Sequence, residues 1–175
     1  MANQTLSPTV AVKAAKSGVS RRTLLIGATI AAGGGMLAWI MLGSTKSVSI
    51  LSTPAQTYDF GVISMKNGNV YHVFKIANPA DKDIMIEQVS TSCMCTVAYI
   101  LEGASRTGPF GMPGMGYGSN RANKLFKAGD TMNIEVVFDP NAHGPAGVGP
   151  MERSVYLADA GGGVLQLGIK ALVKP

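Results

Sequence analysis

Residues 70–77 read VYHVFKIA, and this stretch decides the fold class. Larger apolar residues alternate with others along it, with the two-residue period of a half-buried β-strand. The same period recurs in four later segments, at residues 84–89, 131–138, 154–157 and 164–173. No segment after Gly43 has a sustained period of 3.6 residues, so we expect the region after this glycine to be built from strands.

Short strands separated by turn-forming residues predict an all-β fold for residues 58–175. About seven such strands with frequent turns favour an antiparallel sandwich, in which each sheet buries one face against the other. One stretch interrupts this plan. Residues 103–124 contain six glycines and are longer than most structureless connections within a domain, so we expect a Gly/Met-rich insertion there.

The charge of the chain is unevenly distributed. The 175 residues are enough for one folded domain and a terminal appendage, and they carry a formal net charge of +5. Four basic residues precede position 23 without an acidic one, whereas 11 basic and 10 acidic residues nearly balance from Ser44 onward. A nucleic-acid-binding domain carries its excess positive charge on the folded surface, so no nucleic-acid partner is expected.

Residues 23–43 form an apolar run of 21 residues without a charge, which as a helix spans roughly 30 Å of hydrocarbon. The run predicts a single-pass transmembrane helix. Its basic flank, residues 1–22, is expected to be a disordered tail held in the cytoplasm by the positive-inside rule. Residues 44–57 are then a linker, and the domain at 58–175 lies outside the cell membrane.

Two export signals compete with this interpretation. A cleaved signal peptide has a shorter apolar region and an Ala-x-Ala-like site, to which residues 41–45 are only a weak match. Residues 20–25, SRRTLL, resemble a twin-arginine export signal, although a simple positive flank also explains them. We therefore predict an uncleaved signal anchor.

Five segments in order resemble the domain of unknown function 1573 family: DFGVI at 59–63, FKIAN at 74–78, TSCMCTV at 91–97, AGD at 128–130 and VFDP at 137–140. The resemblance covers about residues 58–175. It implies an immunoglobulin-like sandwich, similar to major-sperm-protein and chaperone-type domains, in exported or membrane-anchored bacterial proteins. It implies no established activity. The family's usual Ser-Cys-Gly-Cys is Ser-Cys-Met-Cys in this chain.

The chain has two cysteines, Cys93 and Cys95. In a regular strand their Cα atoms would lie about 6.6 Å apart, at the outer edge of the disulfide range. Met94 in place of glycine makes a tight bend between them costlier. An oxidising compartment nevertheless favours a disulfide. Three interpretations stay open: a local disulfide or redox pair, two buried small side chains, or two metal ligands.

Further ligands for a metal are few. His72 and His143 are the two imidazoles of the chain, and Met112 and Met115 lie three residues apart in the predicted insertion. Thiols and thioethers together suit Cu(I). Methionine is also a common filler of irregular gaps, so no cofactor is expected and copper is the alternative.

No nucleophile in the sequence has a recognisable base and orienting group, so we predict neither an enzyme nor a small-molecule substrate. The sequence predicts a membrane-anchored interaction or structural module of the bacterial cell envelope with an unidentified envelope protein as its partner. The alternative is a copper-binding or thiol-redox envelope protein that uses Cys93 and Cys95 with Met112 and Met115.

Overall fold

The computed structural model describes residues 47–116 and 118–175. The predicted cytoplasmic tail and the predicted transmembrane helix lie outside these residues. Among the described residues, no helix has the length and apolar character that crossing a membrane requires. The strands are β1 (Ser47–Val48), β2 (Thr57–Ser64), β3 (Val70–Ala77), β4 (Ile84–Thr91), β5 (Thr96–Glu102), β6 (Ser105–Phe110), β7 (Arg121–Phe126), β8 (Thr131–Phe138), β9 (Gly149–Asp159) and β10 (Gly163–Lys174). Two 3-10 helices, Met65–Asn67 and Gly144–Gly147, complete the elements.

The strands form two sheets. The larger sheet has the order β1-β10-β9-β4-β7, with β2 also paired to β10, and the smaller sheet has the order β3-β8-β5-β6. The predicted all-β sandwich is confirmed as two sheets. The purely antiparallel arrangement is wrong at one edge, since β1 and β2 both pair with β10 in parallel. No turn connects these strands directly, so no hairpin dictates their relative direction.

The core lies between the sheets and follows the two-residue period. Alternate residues of β8 and of β10 are buried along nearly their whole lengths. The largest completely buried aliphatic side chains come from both sheets: Ile76, Ile86, Ile100, Ile134, Leu157, Leu167 and Ile169. Leu51, inside the predicted linker, is also buried, and Ser52 pairs with Ala77 of β3. The folded region therefore begins earlier than residue 58.

The predicted Gly/Met-rich insertion at 103–124 contains strands β6 and β7. Gly103, with a φ of 56°, lies in the turn between β5 and β6, which form a hairpin. Phe110 at the end of β6 is buried, and β7 begins at Arg121 and pairs with β4. Several of the glycines in this segment occupy turns or the loop at 111–120, so they are compatible with the two strands. These strands and the two-residue β1 raise the strand count above seven.

Candidate functional site

A tight turn at residues 92–95 connects β4 to β5 across the two sheets. The buried Thr91 hydroxyl lies 3.0 Å from the carbonyl oxygens of both Cys93 and Thr96. The Ser92 amide donates to the Ser154 carbonyl at 2.9 Å, and the Ser154 amide donates to the Ser92 hydroxyl. These bonds fix the turn against β9, so its side chains are held in one orientation.

Cys93 and Cys95 form a disulfide in this turn. Their Cα atoms lie 5.3 Å apart, which is shorter than the strand spacing because the backbone bends between them. The bend needs no left-handed residue. Among the described residues other than glycine, only Asn123 has a positive φ, so the penalty expected from Met94 does not arise.

The two sulfur-bearing residues differ in their access to solvent. Cys95 is 2% exposed and packs within the core between the sheets, whereas Cys93 is partly exposed. The Cys95 amide points toward Cys93 Sγ, with the nitrogen 3.3 Å from the sulfur. An attacking group from outside therefore reaches Cys93 before Cys95.

His143 lies beside the accessible sulfur. Its Nε2 atom is 3.1 Å from Cys93 Sγ, and the residue itself is exposed. The bend that carries His143 follows β8 and is attached to the turn, because the Asp139 amide donates to the Cys95 carbonyl at 2.9 Å. The Asp139 carboxylate in turn accepts from the Asn141 amide at 2.8 Å. The histidine is thus positioned by a short, internally bonded segment.

Arg153 lies beside the buried sulfur. It belongs to β9, and its Nε donates to Cys95 Sγ at 3.2 Å, while its Nη1 donates to the Glu152 carbonyl at 2.7 Å. The sequence offered no motif that marks this arginine. It reaches the cysteines only through the long-range pairing between β4 and β9.

The ligand atoms of Cys93, Cys95 and His143 all lie within 4.8 Å of one another, and this is the group of potential metal ligands in the described part of the chain. His72 does not belong to it. Met112 and Met115 lie in the loop after β6 and are 36% and 44% exposed. Their role as ligands stays a prediction.

His72 forms part of an aromatic cluster on β2 and β3. Its ring stacks on Tyr58 with 3.6 Å between centroids and lies nearly perpendicular to the Phe74 ring with 4.7 Å between centroids. Burial in this cluster lowers the pKa of His72 below its usual value of about 6.5. The contacts explain His72 as a packed residue of the fold.

We expect this histidine to make the domain less stable in mild acid. The folded state binds the proton more weakly than the unfolded state, so stability is greatest above about pH 6.5 and falls as the pH drops through the lowered pKa. Replacing His72 by Phe keeps the ring stacking and removes the titration. Urea unfolding at several pH values checks this: the His72→Phe variant should lose less stability between neutral pH and pH 5 than the parent protein. Equal losses would contradict the assignment.

The family described as "Protein of unknown function (DUF1573)" matches residues 51–111. The resemblance found in the sequence is confirmed over these residues. The matched segment includes both cysteines and ends before His143 and Arg153. No curated protein matches the chain in sequence.

Several solved structures are similar to the chain. A protein of unknown function from Porphyromonas gingivalis W83 has a TM-score of 0.51 at 10% identity, over 75% of this chain and 50% of that one. The secreted serine protease VesC from Vibrio cholerae has a TM-score of 0.44 at 13% identity, over 70% and 23%. The periplasmic chaperone SfaE has a TM-score of 0.42 at 8% identity, over 71% and 58%. The chain thus spans less than two thirds of each of these structures, and the first likeness concerns the fold alone.

Proposed function

We propose that this chain is a membrane-anchored, extracytoplasmic module of the cell envelope that exchanges the Cys93–Cys95 disulfide with a dithiol of a partner protein. One observation carries the proposal. A single disulfide has a partly exposed sulfur beside His143 and a buried sulfur beside Arg153, each contact at hydrogen-bond distance. Each sulfur therefore has its own group to stabilise a thiolate.

A stabilising role explains this disulfide poorly. Disulfides stabilise mainly by closing loops in the unfolded chain, and a loop of three residues contributes only about 1.6 kcal/mol on that account. Cys93 and Cys95 already lie in one turn, which backbone hydrogen bonds from Thr96 to Cys93 and from Ser92 to Ser154 hold in place. The fold therefore depends little on the bond, and its chemistry is free to serve another purpose.

The first step of the exchange uses the accessible sulfur. A thiolate of the partner attacks Cys93 Sγ, a bond forms between these two sulfurs, and the bond between Cys93 and Cys95 breaks. The electron pair of the broken bond remains on Cys95 Sγ as a thiolate. The Arg153 guanidinium, with its Nε 3.2 Å away, stabilises this leaving group in partly buried surroundings.

The second step releases the partner. Its second thiolate attacks its own sulfur in the mixed disulfide, so a disulfide forms within the partner and Cys93 leaves as a thiolate. His143, in the tautomer with a hydrogen on Nε2, donates a hydrogen bond to this sulfur. The partner loses two electrons and two protons, and the cysteine pair becomes a dithiol. The exchange as proposed is reversible and uses one Cys93–Cys95 disulfide for each partner molecule. That the chain is not an enzyme stays a prediction.

The sequence predicts the compartment in which this exchange would take place. An anchor at residues 23–43 with a basic cytoplasmic flank would hold the domain outside the membrane, where disulfides persist. The partner is then an exported protein with its own pair of cysteines. This assigns a chemical purpose to the interaction module predicted from the sequence.

The proposal is tested by equilibrating the full-length, detergent-solubilised protein with glutathione buffers of increasing reducing strength. We expect the disulfide and the dithiol to interconvert while the far-ultraviolet circular dichroism of the β-sheets is retained. Replacing Arg153 by Met should make reduction about tenfold less favourable, because the Cys95 thiolate loses its positive neighbour. The exposed Arg121 on β7 supplies the control variant Arg121→Met, which should change nothing. Reduction that occurs only with unfolding would overturn the proposal.

A further inference from the structure

We infer that the reduced form of the site binds Cu(I), with Cys93 Sγ, Cys95 Sγ and His143 Nε2 as its ligands and Arg153 as the counter-charge. The inference rests on the proposed function in one respect, since the disulfide must first be reduced. Cu(I) would bind at the same two cysteines, and its binding would compete with disulfide exchange.

The positions of the donor atoms fit a small ion. Bonds of about 2.0–2.3 Å to nitrogen and sulfur place the ligand atoms of one ion roughly 3.5–4 Å apart. The three atoms here lie within 4.8 Å of one another, and His143 Nε2 is 3.1 Å from Cys93 Sγ. Reduction separates the two sulfurs, and the exposed His143 can move outward by a few tenths of an ångström. Small adjustments therefore suffice.

The number and kind of donors favour Cu(I) over Zn²⁺. Thiolates are soft ligands that select Cu(I) and Zn²⁺ among the common metals, and structural Zn²⁺ takes four protein ligands. In the residues that the structure describes, the group of Cys, His, Asp and Glu stops at three members. Three protein donors require Zn²⁺ to take its fourth ligand from solvent, whereas a trigonal set of two thiolates and an imidazole satisfies Cu(I).

The net charge of the site also favours Cu(I) over Zn²⁺. Two thiolates, a neutral imidazole and Cu(I) carry a net charge of −1, which the Arg153 guanidinium at 3.2 Å from Cys95 Sγ offsets. With Zn²⁺ the same ligands are neutral, and the arginine would leave an uncompensated positive charge. The arginine therefore adds to the affinity for Cu(I) and does not add to the affinity for Zn²⁺.

Copper binding and disulfide exchange exclude each other. Binding Cu(I) removes a proton from each thiol and transfers no electron. A partner disulfide that accepts two electrons converts the two cysteines to the disulfide, which leaves no thiolate to hold the ion, so the ion is released. Bound Cu(I), in turn, occupies the sulfur that the partner attacks.

The test titrates reduced, full-length protein in detergent with Cu(I) under anaerobic conditions, against a coloured Cu(I) chelator. We expect one Cu(I) per chain, loss of binding in the Cys93→Ser variant and at least about tenfold weaker binding in His143→Gln. His72→Gln is the matched control and should bind as the parent protein does. Arg153→Leu, which removes the charge without adding a sulfur ligand, should weaken Cu(I) binding about tenfold without weakening Zn²⁺ binding.

The competing outcomes are distinct. The copper inference is overturned if no Cu(I) is retained, if Zn²⁺ is bound in preference, or if His72→Gln loses as much affinity as His143→Gln. If the protein cycles between disulfide and dithiol but retains no Cu(I), the copper inference alone is wrong. If the reduced protein binds Cu(I) but does not exchange its disulfide with glutathione, disulfide exchange alone is wrong.

Discussion

Replacing Asn78 by Ala should lower the free energy of unfolding by about 3–5 kcal/mol. Asn78 is 1% exposed at the end of β3, and its side-chain amide donates to carbonyl oxygens of Lys82, Phe126 and Lys127 at 3.0–3.1 Å. Its Oδ1 accepts from the Ala80 amide. One side chain therefore fastens the turn before β4 to the end of β7. Alanine removes the partner of one buried and three partly buried backbone groups, and a buried polar group left without a partner costs about 1–3 kcal/mol.

Urea unfolding of the two proteins measures this difference. Asn133 offers a matched control, since it is an exposed asparagine on β8. Asn133→Ala should change the stability by no more than about 0.5 kcal/mol. A loss at Asn78 as small as the loss at Asn133 would show that the buried amide does not hold these strands together.

Much of the fold could be predicted because one local rule governs it. Residues 70–77 and 131–138 alternate between buried and solvent-facing side chains, and the structure has strands with these same limits. The pairing of the strands with one another was harder to predict. The parallel pairing of β2 with β10 joins residues near opposite ends of the domain, and no local pattern records such a contact. The strands within residues 103–124 were not predicted, because the glycines of the neighbouring turns and loops obscured the two-residue period there.

Part of the candidate site could also be predicted from the sequence, because it depends on residue type. Cys93 and Cys95 are the two cysteines of the chain, and His143 is one of its two histidines, so residue type alone made all three candidates. Which histidine reaches the cysteines depends on the bend after β8, where the Asp139 amide binds the Cys95 carbonyl. Arg153 was missed altogether, because its place beside Cys95 follows from the register of β9 against β4 and from the turn that carries Cys95. These are properties of tertiary structure.

The second large effect that we expect is the trapping of a partner protein. In the Cys95→Ser variant, Cys93 remains accessible beside His143 and can attack a disulfide of the partner. Cys95 can no longer resolve the product, so only the partner's own second thiolate can release Cys93, and the mixed disulfide lasts long enough for rapid alkylation to capture it. In the Cys93→Ser variant, the remaining thiol belongs to Cys95, which is 2% exposed and out of the partner's reach. The two variants should therefore differ almost completely, although each removes one sulfur.

The measurement that tests disulfide exchange most directly compares these two full-length variants in their native membranes after rapid alkylation. On non-reducing gels, Cys95→Ser should migrate as larger adducts that a reductant dissolves, and mass spectrometry of the adducts should find a partner cysteine bonded to Cys93. Cys93→Ser should give no such adduct while it is present at the same level. Adducts of equal amount in both variants, or in neither, would contradict the account.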